Sequence, residues 1–174
     1  MSMYPIASVA SGSGNVTPTL SNIPQTFTHL QLRMSLRDTS AAVATNAFLR
    51  FNGDTAANYW QFRMSGDGAT ASGTGNTSYG GYMPLGIIPG STTANVYGIV
   101  IVDILDYTNT SKTKAVKSST GFDANGSGYV GFGGGFWNST AAITSIQCGA
   151  DTAGNALYTR IDLYGINSTS LTGA

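Results

Sequence analysis

Apolar residues in this chain recur at every second position, and no window of twelve or more residues keeps a helical period. Leu30, Leu32, Met34 and Leu36 alternate with His29, Gln31, Arg33, Ser35 and Arg37. A β-strand points successive side chains to opposite faces, so this run has one apolar, inward face and one polar, outward face. Ala47, Leu49 and Phe51 alternate with Phe48, Arg50 and Asn52, and Trp60, Phe62 and Met64 alternate with Tyr59, Gln61 and Arg63. Asn52-Gly53 lies between the two runs and has tight-turn chemistry, which predicts a hairpin over residues 47–64. Between Asn95 and Tyr107 both parities are apolar, Val96, Val100, Val102 and Ile104 on one side and Tyr97, Ile99, Ile101 and Leu105 on the other. Such a strand is covered on both faces, by a second sheet or by a partner.

Further strands are expected over residues 112–120, 129–137, 142–148 and 157–166. Gly133, Gly134 and Gly135 inside one of them point to a bulge or a close backbone approach. Turn clusters separate the strands, and no helices alternate with them. The expected fold class is all-β, an antiparallel, jelly-roll-like β-sandwich. Residues 1–22 are loosely patterned and read as an N-terminal arm with short strands near Tyr4–Ala10 and Asn15–Leu20. Residues 23–174 read as a single sandwich domain. Gly66 to Gly81 (GDGATASGTGNTSYGG) is low in complexity and is expected as a long exposed loop.

Composition agrees with this fold and narrows the function. Gly (23), Thr (22), Ser (19) and Asn (12) dominate, glutamate is absent, and only 9% of residues are charged. These residues favour strands and turns over helices. Eight Lys and Arg balance eight Asp, which leaves no basic stripe for nucleic acid. The apolar stretch from Val96 to Leu105 is too short to span a bilayer, and the start of the chain lacks a basic, then apolar, leader pattern. The reading is a soluble protein made in a cytoplasm, with neither nucleic acid nor membrane as partner. The one cysteine, Cys148, allows no internal disulfide and no Cys-based zinc site, and its place in a strand favours burial.

Catalytic signatures are sparse. His29 is the only histidine, it lies on the polar face of its strand, and no Gly-x-Ser-x-Gly elbow accompanies it. Asp103 and Asp106, three apart, face opposite sides of a strand and cannot pair directly. Gly126-Ser127-Gly128-Tyr129-Val130-Gly131 matches a dinucleotide fingerprint in letters, but a turn precedes it and a strand follows. Asp123-Ala124-Asn125-Gly126 begins like a calcium loop without the closing glutamate. The expectation is a non-enzymatic protein with no catalytic residue, no cofactor and no metal. Among the aromatics, Trp60 and Trp137 are the first candidates for stacking on a sugar ring, with core or interface packing as the ordinary use of such residues.

Several strings in this frame are distinctive together. They are residues 23–33 (IPQTFTHLQLR), Leu49-Arg50-Phe51-Asn52-Gly53-Asp54 followed by Asn58-Tyr59, residues 101–107 (IVDILDY), Asn125-Gly126-Ser127-Gly128 and residues 142–146 (AITSI). In combination the chain from about Leu20 to Ile166 resembles a β-sandwich module of structural proteins of tailed bacteriophages, including phages of cyanobacteria. The resemblance implies a virion component assembled in the host bacterial cytoplasm, and it brings no catalytic residue. With little chain beyond the module, a capsid decoration (cement) protein is the expectation. It would seat as a homotrimer on the major capsid protein, with Met3, Tyr4 and Ile6 of the arm as partner contacts. The alternative is a tail- or head-associated module that grips a host surface glycan through Trp60 and Trp137.

Overall fold

The structure is a computed structural model and describes residues 2–11 and 17–167. Twelve strands follow one another among these residues: β1 (Ser2–Ala10), β2 (Thr19–Leu20), β3 (His29–Leu36), β4 (Ala44–Phe51), β5 (Tyr59–Gly66), β6 (Ala71–Tyr79), β7 (Met83–Pro89), β8 (Gly98–Ile104), β9 (Lys114–Asp123), β10 (Gly128–Trp137), β11 (Ile146–Ala150) and β12 (Arg160–Asn167). They form two antiparallel sheets, a wide one in the order β1-β12-β3-β8-β9-β10-β5-β6 and a narrow one in the order β2-β11-β4-β7. The two sheets pack face to face as an asymmetric β-sandwich, eight strands against four.

The core lies between the narrow sheet and the wide sheet. Leu30, Leu32, Met34 and Leu36 of β3 are buried, as their period requires, beside Val100, Val102 and Ile104 of β8 and Ile161 and Leu163 of β12. Leu49 and Phe51 of β4, Met83, Leu85 and Ile88 of β7, and Ile146 and Cys148 of β11 complete the same cluster. Cys148 is fully buried, and burial pushes its thiol pKa up to about 12.

Several sequence expectations change. Asn52 and Gly53 do form a tight turn, with φ of 49° and 67° and the Asp54 N–H donating to Phe51 O at 2.8 Å. The turn closes no hairpin, however, because β4 lies in the narrow sheet and β5 in the wide one. Asn52 is instead bound across the sandwich end: its Oδ1 accepts from the N–H groups of Thr144 and Ser145, and its Nδ2 donates to Ala142 O. The stretch expected as a loop over residues 66–81 contains β6, an edge strand hydrogen-bonded to β5. Small polar residues suffice over 71–75 because β5 supplies the backbone partners and those side chains are exposed, while Tyr79 at the end packs against the core. The described part of residues 1–22 contributes one strand to each sheet, β1 along β12 and β2 along β11, while residues 12–16 lie outside the described residues. The glycines of β10 introduce no bulge, since β10 keeps an unbroken register with both β9 and β5.

β7 was not signalled by the sequence. Its prolines at 84 and 89 and glycine at 86 read as breakers, yet at a sheet edge a missing N–H costs little. The register with β4 shifts by one residue at Ala47/Phe48, which sets Leu85 as an extra residue between Pro84 and Gly86. There the β7 backbone reaches the wide sheet: Ser118 Oγ donates to Leu85 O at 2.6 Å. A Cβ on Gly133 would stand 2.6 Å from that same Ser118 Oγ, so glycine is what the close approach requires.

Candidate functional site

The antiparallel register lays the outer face of the wide sheet out in rows. One row runs Ile101, Ser119, Phe132, Met64, Gly73, and the next runs Asp103, Lys117, Gly134, Phe62, Gly75. A third holds Ile99, Gly121, Val130, Gly66 and Ala71. Over β3 and β12 this face is polar, with Gln31 Nε2 donating to Asp103 of β8 at 2.7 Å and Arg160 Nε to Asp162 at 2.8 Å, while β8 itself also leaves Ile99 uncovered there, where the sequence predicts cover on both faces. Over β10 and β5 it is apolar. Phe62 is 65% exposed, Met64 70%, Phe132 59% and Val130 56%, with Ile99 of β8 at 57%.

This region is inverted relative to an ordinary sandwich strand. The inward positions of β5 after the buried Tyr59 are Gln61, Arg63 and Ser65, and those of β10 include Gly131 and Gly133. Gln61 is buried, and Arg63 donates to Asn46 of β4 at 2.6 Å. The physical reason is the close approach of β7, which leaves room only for small or slender side chains beneath β9 and β10. The apolar parity of β5 therefore points out. Two shallow depressions lie on this outer surface. One of about 520 Å³ is bordered by Phe62, Met64, Gly73, Phe132 and Gly134, and one of about 430 Å³ by Met64, Gly66, Ala71, Val130 and Phe132.

The tryptophans separate. Trp137 is 3% exposed and packs on Phe51 with ring centroids 5.6 Å apart, so its face is core and not a sugar platform. It lies at the inward parity of β10, opposite Tyr59. Its indole Nε1 donates to Asp54 Oδ2 at 2.7 Å. Burial alone raises the Asp54 pKa, but donors from Asn58, Trp137 and Ala56 outweigh it and hold the carboxyl below the usual range. The neighbouring Tyr59 phenol is pushed up to about 12 by burial and accepts from the Phe51 N–H at 3.0 Å. Trp60, on the opposite parity, is half-buried against Phe136, edge to face at 4.7 Å.

At the far edge of the wide sheet, Met3 and Tyr4 of β1 are exposed, and the Tyr4 ring lies 5.8 Å from Phe27. Ile6 is half-buried and packs against the core, so it serves the sandwich itself.

The sparse titratable groups are tied to turns. His29 Nδ1 accepts from the Asp106 N–H at 3.0 Å. The Asp106 carboxylate takes the Lys112 ammonium, which lowers its pKa. Asp103 lies on β8 and pairs with Gln31, away from that turn. Asp123 Oδ1 accepts from the Gly126 N–H and closes its own turn. Buried Lys114 donates to the carbonyls of Asn109, Lys112 and Thr140, and desolvation lowers its pKa. Among the described residues, no group of three or more His, Cys, Asp or Glu could hold a metal ion.

The four side chains Phe62, Met64, Val130 and Phe132 were not singled out by sequence as a site. The signal was present: the parity opposite them holds Gln61, Arg63, Gly131 and Gly133, which can build no apolar core. No family model, no curated protein and no solved structure matches the chain.

Proposed function

We propose that this chain is a non-enzymatic structural protein of a tailed-phage virion, a decoration protein that seats on the capsid exterior as a trimer. Its partners are the major capsid protein and further copies of itself. The observation that carries this reading is the uncharged apolar face on β5 and β10. The largest contiguous apolar patch on a typical monomer is about 300–600 Å² and is often a functional surface. A rigid antiparallel sheet presents such a face without a backbone ordering cost on binding. The virion setting is supported by the sequence resemblance between Leu20 and Ile166. Met3 and Tyr4 on β1 are the residues offered to the capsid, at the edge of the sheet remote from β5.

Electron microscopy of particles with and without the protein tests the reading. Density on the capsid exterior with three-fold character is expected. Density on the tail, or no association with particles, overturns it. A carbohydrate-binding role is favoured by one observation, the partly open ring of Trp60. Trp60→Ala should then abolish binding on a glycan array, and unchanged binding removes that role.

A further inference from the structure

We infer that the outer face of β5, β6 and β10 is the surface through which copies of this chain join one another, with Phe62, Met64, Val130 and Phe132 at its centre. The inference deepens the proposal above, which has further copies among its partners, and assigns them a place. Three observations point to a second copy as the occupant.

The first is shape. Large side chains alternate with glycines across the strands, so the same surface carries both projections and hollows. The Phe62 ring lies over Gly75 and leaves Gly134 open on its other side, and Met64 lies between Phe132 and Gly73. A Cβ on Gly134 would meet nothing within 4 Å, and one on Gly73 would meet only Arg63 O at 3.9 Å. The two depressions of about 520 and 430 Å³ are these hollows. A face that meets its own copy across a two-fold axis needs projections and receptors on one surface.

The second is charge. The outward positions of β10 (Val130, Phe132, Gly134, Phe136), β5 (Trp60, Phe62, Met64, Gly66) and β6 (Ala71, Gly73, Gly75) include no ionisable group. The charges bordering this face are Lys117, opposite Asp103 across β8 and β9, and at the other end Asp123, opposite Gly128 at the outward parity of β9, and Asp67 in the turn after Gly66. Copies of a chain with formal net charge +0 would bring no charge into the centre of such a contact, and the acids would stay at its rim.

The third is area. The four central side chains, each more than half exposed, present an apolar surface on the order of 400 Å², the size of the largest patch on a typical monomer, which is often functional. Two such faces with their polar rims reach the roughly 1,200–2,000 Å² that stable protein interfaces bury.

The test uses the full chain. Light scattering at micromolar concentration is expected to give a mass of more than one chain. Phe132→Asp and Met64→Asp are each expected to weaken association at least about 30-fold, as interface hot spots do. Tyr158→Asp, exposed in the β11–β12 connection, is expected to change nothing. Peroxide oxidation of the wild-type protein gives a readout that needs no variant. Met64 is expected to oxidise about ten-fold more slowly above the association concentration than below it, while Met3 keeps one rate. A wild-type monomer, or an oligomer whose Met64 stays equally reactive, overturns the inference. A dimer through this face sustains it and overturns the trimer. A trimer with Met64 open keeps the trimer and overturns this face.

Discussion

In the β12-β3-β8 half of the wide sheet, Leu163, Leu32 and Val102 point inward, and Arg33, Asp103 and Arg160 point outward. In the β10-β5 half the sense is reversed: Gln61, Arg63 and Gly133 lie inward, and Phe62, Met64 and Phe132 lie outward. Both halves alternate with the same period of two. What differs is the opposing layer. The first half shares its core with apolar side chains of β4 and β11, such as Leu49 and Ile146. Over the second half the β7 backbone approaches β5, β9 and β10 closely, and Leu85 O takes a hydrogen bond from Ser118. Alternation thus makes a strand, while the layer above it decides which face is the inside.

The largest effect that separates the halves comes from truncating one side chain in each. Leu32→Ala, in the fully buried row of β3, should cost about 2–5 kcal/mol through lost burial and the cavity left behind. Phe132→Ala should stay within about 0.5 kcal/mol for the single chain, because its ring is exposed. Urea unfolding at a concentration where the protein is monomeric measures both. Equal losses would mean that Phe132 is core.

Two adjacent glycines sharpen the same point. Gly133→Ala places a methyl against Ser118 Oγ and Leu85 O, and should cost about 1–3 kcal/mol by overpacking. Gly134→Ala, with open space around its Cβ, should be neutral or slightly stabilising. If thermal unfolding shows the reverse order, the close approach of β7 is misplaced.

The smallest effect concerns the end of the inverted half, where Trp137 donates to Asp54. Trp137→Phe should cost about 1 kcal/mol for the lost hydrogen bond at neutral pH. The Asp54 pKa is depressed in the folded chain, so the stability it contributes is present above the unfolded value, about 3.9, and is lost as pH falls through the folded value. The gap between wild type and variant should therefore narrow on acidification. A gap that stays constant from neutral pH to pH ~3 would remove Asp54 as the acceptor that matters.

The β3 and β12 strands were readable because apolar and polar residues alternate there with sharply different side-chain chemistry, and β8 because both its parities are rich in β-branched apolar residues. β6 and β7 were not. β6 (ASGTGNTSY) has no apolar alternation, because over Ala71–Gly75 this edge strand is exposed and needs only backbone pairing, and only Tyr79 at its end packs against the core. β7 hides behind prolines at 84 and 89 that only an edge tolerates. Trp137 looked equal to Trp60 in sequence, and its burial follows from lying opposite Tyr59 in a register set by the whole of β10.

The sequence alone determined an all-β chain, the strand period, the Asn52-Gly53 turn and the burial of β3. These are local consequences of side-chain size, polarity and backbone freedom. Tertiary structure decided that β4 and β5 part into different sheets and that the aromatic parity of β5 and β10 faces outward. Both depend on how near β7 comes to the wide sheet, a distance fixed by residues far apart in the chain.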